Sequence, residues 1–296
     1  MIISDKERNY HQKCPICKNY KLKYWFKLKG FTIVKCRECG VSFVKDIVTQ
    51  KELDYHYGAD LEVVNPAGDS VYLKEQNIEN LKYFYRKLKS LIVKKVPKGK
   101  LLDVGCNAGL FLDVMDGFDR YGVERSTAAG MVAKEKYGDK IFIGTFEDYK
   151  APEVLFDCIS VQDVLDHMTN PVEVMNKCNK LLKSGGLLVV KVHDMSCLYA
   201  KFSGKKFYAL VPPSHLFFFN RTSLTKTLEK ASFKVLFFKH LAHRLFLSTV
   251  FFRLSREGER KTFYKLYRAL EGTFIGKIMI YKNLHDLITV FAVKKH

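Results

Sequence analysis

Lys100 to Leu112, reading KLLDVGCNAGLFL, limits the fold of this chain more than any other stretch. Leu101, Leu102 and Val104 make the short apolar run of a buried parallel strand. Gly105-Cys106-Asn107-Ala108-Gly109 then predicts a tight turn into a helix that runs from near Leu110 to about Phe118. Gly105 and Gly109 allow the turn and let a ligand approach bare backbone, and Asn107 tolerates the left-handed region better than most residues. The loop departs from the G-x-G-x-x-G dinucleotide fingerprint, because Asn107 stands at the second glycine and nothing matches the third. Asp103 lies two residues before the first glycine, where a carboxylate would repel a pyrophosphate and attract a cation. Glu124 closes the next apolar run, 19 residues after Gly105. That is close to the ~20-residue offset at which an acidic strand tip grips ribose hydroxyls. A nucleoside that carries a positive charge and no phosphates suits both carboxylates.

Three further blocks follow in register: YGVE (121–124), FDCISVQDVLDHMTNP (156–171) and LLKSGGLLVVKV (181–192). With LLDVGCNAG (101–109) they resemble a class I S-adenosylmethionine-dependent methyltransferase, over roughly Lys98 to His240. The resemblance implies an α/β fold, a Rossmann-like seven-stranded sheet with helices on both faces. It implies S-adenosyl-L-methionine as cofactor, held by Asp103, Gly105, Cys106, Asn107, Gly109 and Glu124. By the same resemblance Phe146 and Glu147 fall where the adenine is contacted, and Gln162 where the methionine part is met. His167 matches a histidine frequent in members that act on small molecules. His215, within His215-Leu216-Phe217-Phe218-Phe219 followed by Ser223-Leu224, matches a segment of members acting on small molecules or sugars. Either imidazole could take a proton from the acceptor, and each also reads as a packed histidine. His193-Asp194 at the tip of the fifth strand also points toward the cleft, and the aromatic and proline-rich stretch 205–220 suits a substrate-facing lid.

Before this unit, Cys14, Cys17, Cys36 and Cys39 form C-x2-C-x18-C-x2-C, a spacing that fits four thiolates on one zinc ion. Tyr24-Trp25-Phe26 and Phe31-Thr32-Ile33-Val34 flank Lys29-Gly30 as a hairpin, so residues 1–68 read as a small N-terminal zinc ribbon with its linker. Four thiolates leave no open coordination position, which makes such a zinc structural. Residues 69–296 read as the methyltransferase domain. Its opening helix would be capped by Asp69 or Ser70 and carries the aromatics Tyr72, Tyr83 and Tyr85, which read as core. Between a sixth strand ending at His240 and an antiparallel seventh, Leu287 to Val293, lies a basic helical insertion over 244–270.

The formal net charge of +19 is unevenly spread. Residues 1–100 carry +10, residues 101–200 carry −5 and residues 201–296 carry +14. Basic ends suit an anionic partner such as a phosphorylated small molecule, nucleic acid or a membrane surface, or they are solvated faces of a Lys-rich chain. A basic amphipathic segment near the C-terminus can lie on a membrane. No run of 18 apolar residues predicts a transmembrane segment, and the first ten residues lack a signal-peptide core, so a cytoplasmic protein with reduced cysteines is expected.

The resemblance therefore implies methyl transfer to a small-molecule acceptor, a sugar, nucleotide-sugar, polysaccharide or secondary-metabolite intermediate, by O- or C-methylation. Two rivals remain open from the residues. One is an RNA methyltransferase whose ribbon stacks bases on aromatics interleaved with lysines between Tyr20 and Lys29. No N-P-P-Y-like motif follows the fourth strand, where Gln162-Asp163-Val164-Leu165 stands. The other is a non-catalytic binding protein on the same scaffold, against which the intact cofactor positions speak.

Overall fold

Val104, Val161 and Val190 stand side by side on three neighbouring strands, each no more than 1% exposed. They mark the centre of the fold in a computed structural model that describes residues 9–49, 52–53, 75–151, 155–255 and 260–295. The N-terminal module contains β1 (Leu22–Leu28), β2 (Phe31–Cys36) and β3 (Ser42–Val44). After it come α1 (Glu75–Ile92), β4 (Gly99–Val104), α2 (Leu110–Val114), β5 (Phe118–Glu124), α3 (Thr127–Tyr137) and β6 (Ile141–Ile143). The second half holds β7 (Phe156–Gln162), α4 (Pro171–Leu181), β8 (Leu182–His193), α5 (Leu198–Ser203), β9 (Phe217–Phe218) and α6 (Arg221–Lys230). Last are β10 (Phe233–Lys239), β11 (His243–Phe246), α7 (Leu247–Leu254), α8 (Lys261–Leu270), β12 (Met279–Lys282) and β13 (Leu287–Lys294).

The central sheet runs β10-β13-β8-β7-β4-β5-β6. The five strands β6, β5, β4, β7 and β8 pair in parallel, and β13 enters antiparallel between β8 and β10. Alternation along each strand sends side chains to two covered faces. Leu101, Cys158, Leu187 and Val189 pack with Phe84, Leu88 and Ile92 of α1 on one face. Leu102, Val104, Ile159, Val161, Leu188 and Val190 face the other way, in a core continuous with that of the N-terminal module. Burying each such side chain contributes about 1.5–3 kcal/mol. The parallel order puts the carboxyl ends of β4, β5, β7 and β8 along one edge, where open α/β sheets bind their ligands.

Local signals account for most helix boundaries. The side chains of Ser126, Asn170 and Asn220 cap α3, α4 and α6 as their positions predict, and Pro171 follows Asn170 at the first helical turn. Three expectations need correction. First, α2 ends at Val114 rather than near Phe118, because Gly117 turns the chain at φ +90° and β5 already starts at Phe118. Second, the C-terminal insertion is more than a helix: β11 and β12 pair antiparallel as a ribbon from which α7 and α8 project. Third, the stretch expected as a lid is largely interior. Leu216 to Phe219 are 1–6% exposed, and β9 pairs with β3, so the N-terminal sheet runs β1-β2-β3-β9. Three consecutive phenylalanines could not remain on a mobile flap without exposing a large apolar area. Asp69, Ser70, Tyr72 and the 68/69 boundary lie outside the described residues. Among the described residues no helix is long and apolar enough to cross a membrane.

Candidate active site

The turn after β4 is built as the sequence requires. Gly105, Asn107 and Gly109 all take positive φ, at +77°, +49° and +81°. Gly105 and Cys106 both donate their N–H to the carbonyl of Val123. A Cβ on Gly105 would lie 2.3 Å from a methyl of Val164, so glycine there makes room for protein as well as for any ligand. Glu124 ties two loops together. One carboxylate oxygen accepts from the N–H of Asn107 and the other from the N–H of Ser126, each at 2.7 Å. Each oxygen keeps a lone pair for a hydroxyl.

Beside it, Asp103, Ser160, Gln162 and Lys191 occupy laterally paired positions of β4, β7 and β8 and share one face of the sheet. Gln162 Nε2 donates to Ser160 Oγ at 3.0 Å, and Ser160 in turn bonds Asp103. This chain ends on two buried oxygens with no partner, Asp103 Oδ1 and Gln162 Oε1. Burial raises the Asp103 carboxyl to about 8, Ser160 opposes the rise, and the nearby Glu124 charge adds to it. Lys191, 2% exposed, lies over the Phe84 ring and pairs with Asp163 at 2.6 Å. Asp163 itself sits at φ +56°, an unusual conformation for a non-glycine residue and one that clusters at functional sites. Two buried oxygens without partners at the carboxyl edge of the sheet suit hydroxyls and, once Asp103 is ionised, an ammonium or sulfonium group.

The remaining predicted contacts are placed less directly. Cys106 is buried against Gly122 and burial pushes its thiol pKa up, so the side chain serves the core and only its backbone faces the loop. The Phe146 ring is 3% exposed and packs on Tyr149, with Lys177 over its face. Glu147 is exposed beside it. These two flank the tip of β6 without meeting Asp103 or Gln162 in any recorded contact.

Past the ends of β7 and β8, four side chains converge. His193 Nδ1 lies 2.9 Å from Asp166 Oδ2, and His167 Nε2 lies 3.8 Å from Asp166 Oδ1. The His215 ring is 4.5 Å from that of His167 and 5.0 Å from that of His193. His215 is brought there by the backbone, since Leu216 and Phe217 both donate to the carbonyl of Asp166. Its Nδ1 faces the carbonyl of Ala209 at 2.6 Å, which assigns the proton to Nδ1 and leaves Nε2 to accept. Burial holds its pKa at about 4. His193 differs. Burial alone would lower its pKa, but the hydrogen bond and charge of Asp166 outweigh this and raise it. Asp166 is 2% exposed and stays ionised, because the charge of His167 and the His193 hydrogen bond overcome its burial. Asp166, His193 and His215 each bring one possible ligand atom within 4.8 Å of the others. Of the sequence candidates, His167 and His215 thus meet in one cluster. His193 is the imidazole that Asp166 orients through a hydrogen bond, and its position at a strand tip was the signal for it.

The profile of the methyltransferase-domain family matches residues 77–236, more than half of the chain. The chain belongs to this family. It is 29% identical over 139 residues to a ubiquinone biosynthesis O-methyltransferase of Glaesserella parasuis, covering 43% of this chain and 56% of that protein. A Vibrio vulnificus protein of the same description is 29% identical over 157 residues, covering 49% and 64%. The chain therefore spans less than two thirds of these relatives. In shape it is similar to the magnesium protoporphyrin IX methyltransferase of Synechocystis PCC 6803, solved with bound SAH (TM-score 0.50, 13% identity, 82% of this chain and 97% of that one). That likeness concerns the fold alone, a Rossmann-like seven-stranded sheet.

In this methyltransferase-family chain the N-terminal cysteines form a second centre. Cys14 and Cys39 sulfurs are 3.7 Å apart and those of Cys17 and Cys36 3.4 Å, with all four within 4.8 Å. A tetrahedral zinc with Zn–S near 2.3 Å requires about 3.8 Å between sulfurs, so the donor set fits. Each knuckle closes through a left-handed residue, Lys18 at φ +61° and Gly40 at +75°.

Proposed function

We propose that this chain transfers a methyl group from S-adenosylmethionine to a hydroxyl of a small molecule, with His193 taking the hydroxyl proton. The Asp166–His193 pair carries this reading. An ionised, buried carboxylate fixes the imidazole so that Nδ1 holds the proton and Nε2 can accept one, and raises its basicity. When bound, the cofactor supplies a sulfonium methyl ready for in-line displacement. Asp103 and Gln162 would hold its charged end and Glu124 its ribose, with the loop of Gly105 to Gly109 against the sugar. His215, neutral near pH 7, would orient the acceptor through Nε2, and His167 would border the same pocket. Sugar, nucleotide-sugar and secondary-metabolite hydroxyls are all acceptors of this class, and the O-methyltransferase relatives support oxygen over carbon as the target. We further infer that Cys14, Cys17, Cys36 and Cys39 hold one structural zinc.

Incubation with methyl-labelled cofactor and separated small-molecule, lipid and nucleic-acid pools tests the reading. Label is expected on an oxygen of the small-molecule or lipid pool, and His193→Gln should abolish its transfer. Labelled RNA would move the assignment to the rival in which Tyr20, Tyr24 and Trp25, 73%, 62% and 39% exposed, stack bases. Cofactor binding with no transfer to any pool would leave a binding protein.

A further inference from the structure

Phe202 and Phe274 are 88% and 87% exposed, far more than apolar side chains of this size usually are. Each sits in a basic, apolar segment. Around Phe202, α5 adds Leu198, 69% exposed, and residues 198–208 carry three lysines and no acid. Around Phe274, Ile275 and Ile278 are 55% and 47% exposed. Residues 260–284 there carry six Lys and Arg against the single acid Glu271, which is already paired with Arg268. Lys282, paired with Asp286 at 2.9 Å, brings the end of the second segment against the first, its ammonium 5.9 Å from the Tyr199 ring centre and 5.4 Å from that of Tyr208. Tyr208 also packs edge-on against His193, at 5.4 Å between ring centres. The Tyr199–Tyr208 segment, with Lys282 against it, therefore borders the histidine cluster.

We propose that these two segments form one rim that docks on an anionic phospholipid surface and that the methyl acceptor is amphiphilic, its hydroxyl-bearing head reaching the histidine cluster from the membrane. Exposed phenylalanines among lysines supply the two signals that stable peripheral binding needs, an apolar insertion and a charge attraction. Charge complementarity selects this occupant over a second copy of the chain. An isologous dimer would bring two equally basic surfaces face to face. The acceptor half of the proposal rests on the transfer reading above, and the docking half does not.

The test is sedimentation of the full chain with vesicles of phosphatidylcholine alone and of phosphatidylcholine mixed with phosphatidylglycerol. Binding at least ~10-fold stronger to the anionic vesicles at low salt, weakened by added salt, is expected. Phe202→Ser with Phe274→Ser should abolish it while leaving cofactor binding and thermal midpoint unchanged, and should raise the KM for a vesicle-borne acceptor. Equal binding to both vesicles, or binding indifferent to the double substitution, overturns the docking. So does a dimer in solution that the double substitution dissolves, or RNA captured in place of vesicles. Vesicle binding retained in His193→Gln with transfer lost separates the surface from the chemistry. Transfer to a fully water-soluble acceptor with the same KM in the double variant and in the native chain overturns the acceptor class alone.

Discussion

The side-chain amide of Asn220 donates to the carbonyl of Gly40, 180 residues earlier, across 2.8 Å. The same side chain caps α6 through the N–H of Ser223, also at 2.8 Å. One residue thus fastens the second cysteine knuckle to the helix that follows the His215 segment. Val44 and Leu216 add a backbone hydrogen bond at 2.9 Å, and Lys226 reaches the carbonyl of Glu38 at 3.1 Å.

From this fastening follows a prediction about the N-terminal cysteine module and its proposed zinc. Asn220→Ala removes a cap worth about 1 kcal/mol and strands the Gly40 carbonyl. Its thermal midpoint should fall by roughly 2–4 °C. Chelation of zinc, or Cys36→Ser, should lower the midpoint further and depress kcat, while cofactor affinity measured by calorimetry changes little.

Asp103 predicts a pH dependence of cofactor affinity. Its pKa of about 8 keeps it protonated in the free protein near neutrality, whereas a sulfonium favours the ionised form. Binding must therefore release a proton below about pH 8, and affinity should rise up to about tenfold per pH unit before levelling off above that value. The demethylated product, with a neutral sulfur, should show a flatter profile, and Asp103→Asn should remove the slope. Stability runs the opposite way. An acid raised from 3.8 to about 8 on folding binds more protons folded than unfolded in that window, so its contribution is lost as pH rises. The thermal midpoint of Asp103→Asn should therefore gain on the native chain between about pH 5 and pH 8.

The base assignment is tested by two substitutions. His193→Gln should lower kcat by roughly 10²–10⁴-fold and leave cofactor affinity within about twofold. Asp166→Asn removes the charge that raises His193, so the rising limb of the pH–rate profile should move to lower pH while the plateau falls. A profile that does not shift in Asp166→Asn would place the base elsewhere.

At the turn after β4, Gly105→Ala combines two costs. A non-glycine residue at φ +77° loses about 1–2 kcal/mol, and the new methyl overlaps Val164. Adding Val164→Ala should restore the space but not the backbone cost. The double variant should therefore recover part of the lost stability in thermal melts.

Much of this was legible in the sequence because it is local. The strand, turn and helix around Gly105 declare themselves in thirteen residues, and Ser126, Asn170 and Asn220 are caps by residue type and position. The cysteine spacing implies one centre, and four sulfurs within 4.8 Å agree. What stayed hidden depends on partners far away in the chain. His243 to Phe246 carry no turn signal, because the strand they pair with is Met279 to Lys282. Phe217 and Phe218 read as a lid because nothing nearby shows that Phe43 and Ser42 will cover them. The Asp166–His193 pair was hidden because the two residues stand 27 positions apart and meet, at 2.9 Å, only in the fold. Cys106 stood in the right loop, yet the sequence says nothing about which way its sulfur turns.

The pairing of β3 with β9 also orders events in the life of the chain. Phe43 emerges from the ribosome long before Phe217, and the strand it belongs to must be in place before the later one can add to it. With the proposed zinc missing from Cys14, Cys17, Cys36 and Cys39, β3 is expected to be loosened and β9 left without the strand it pairs with. Proteolysis of freshly made protein from chelator-treated cells should then cut near residue 217 first.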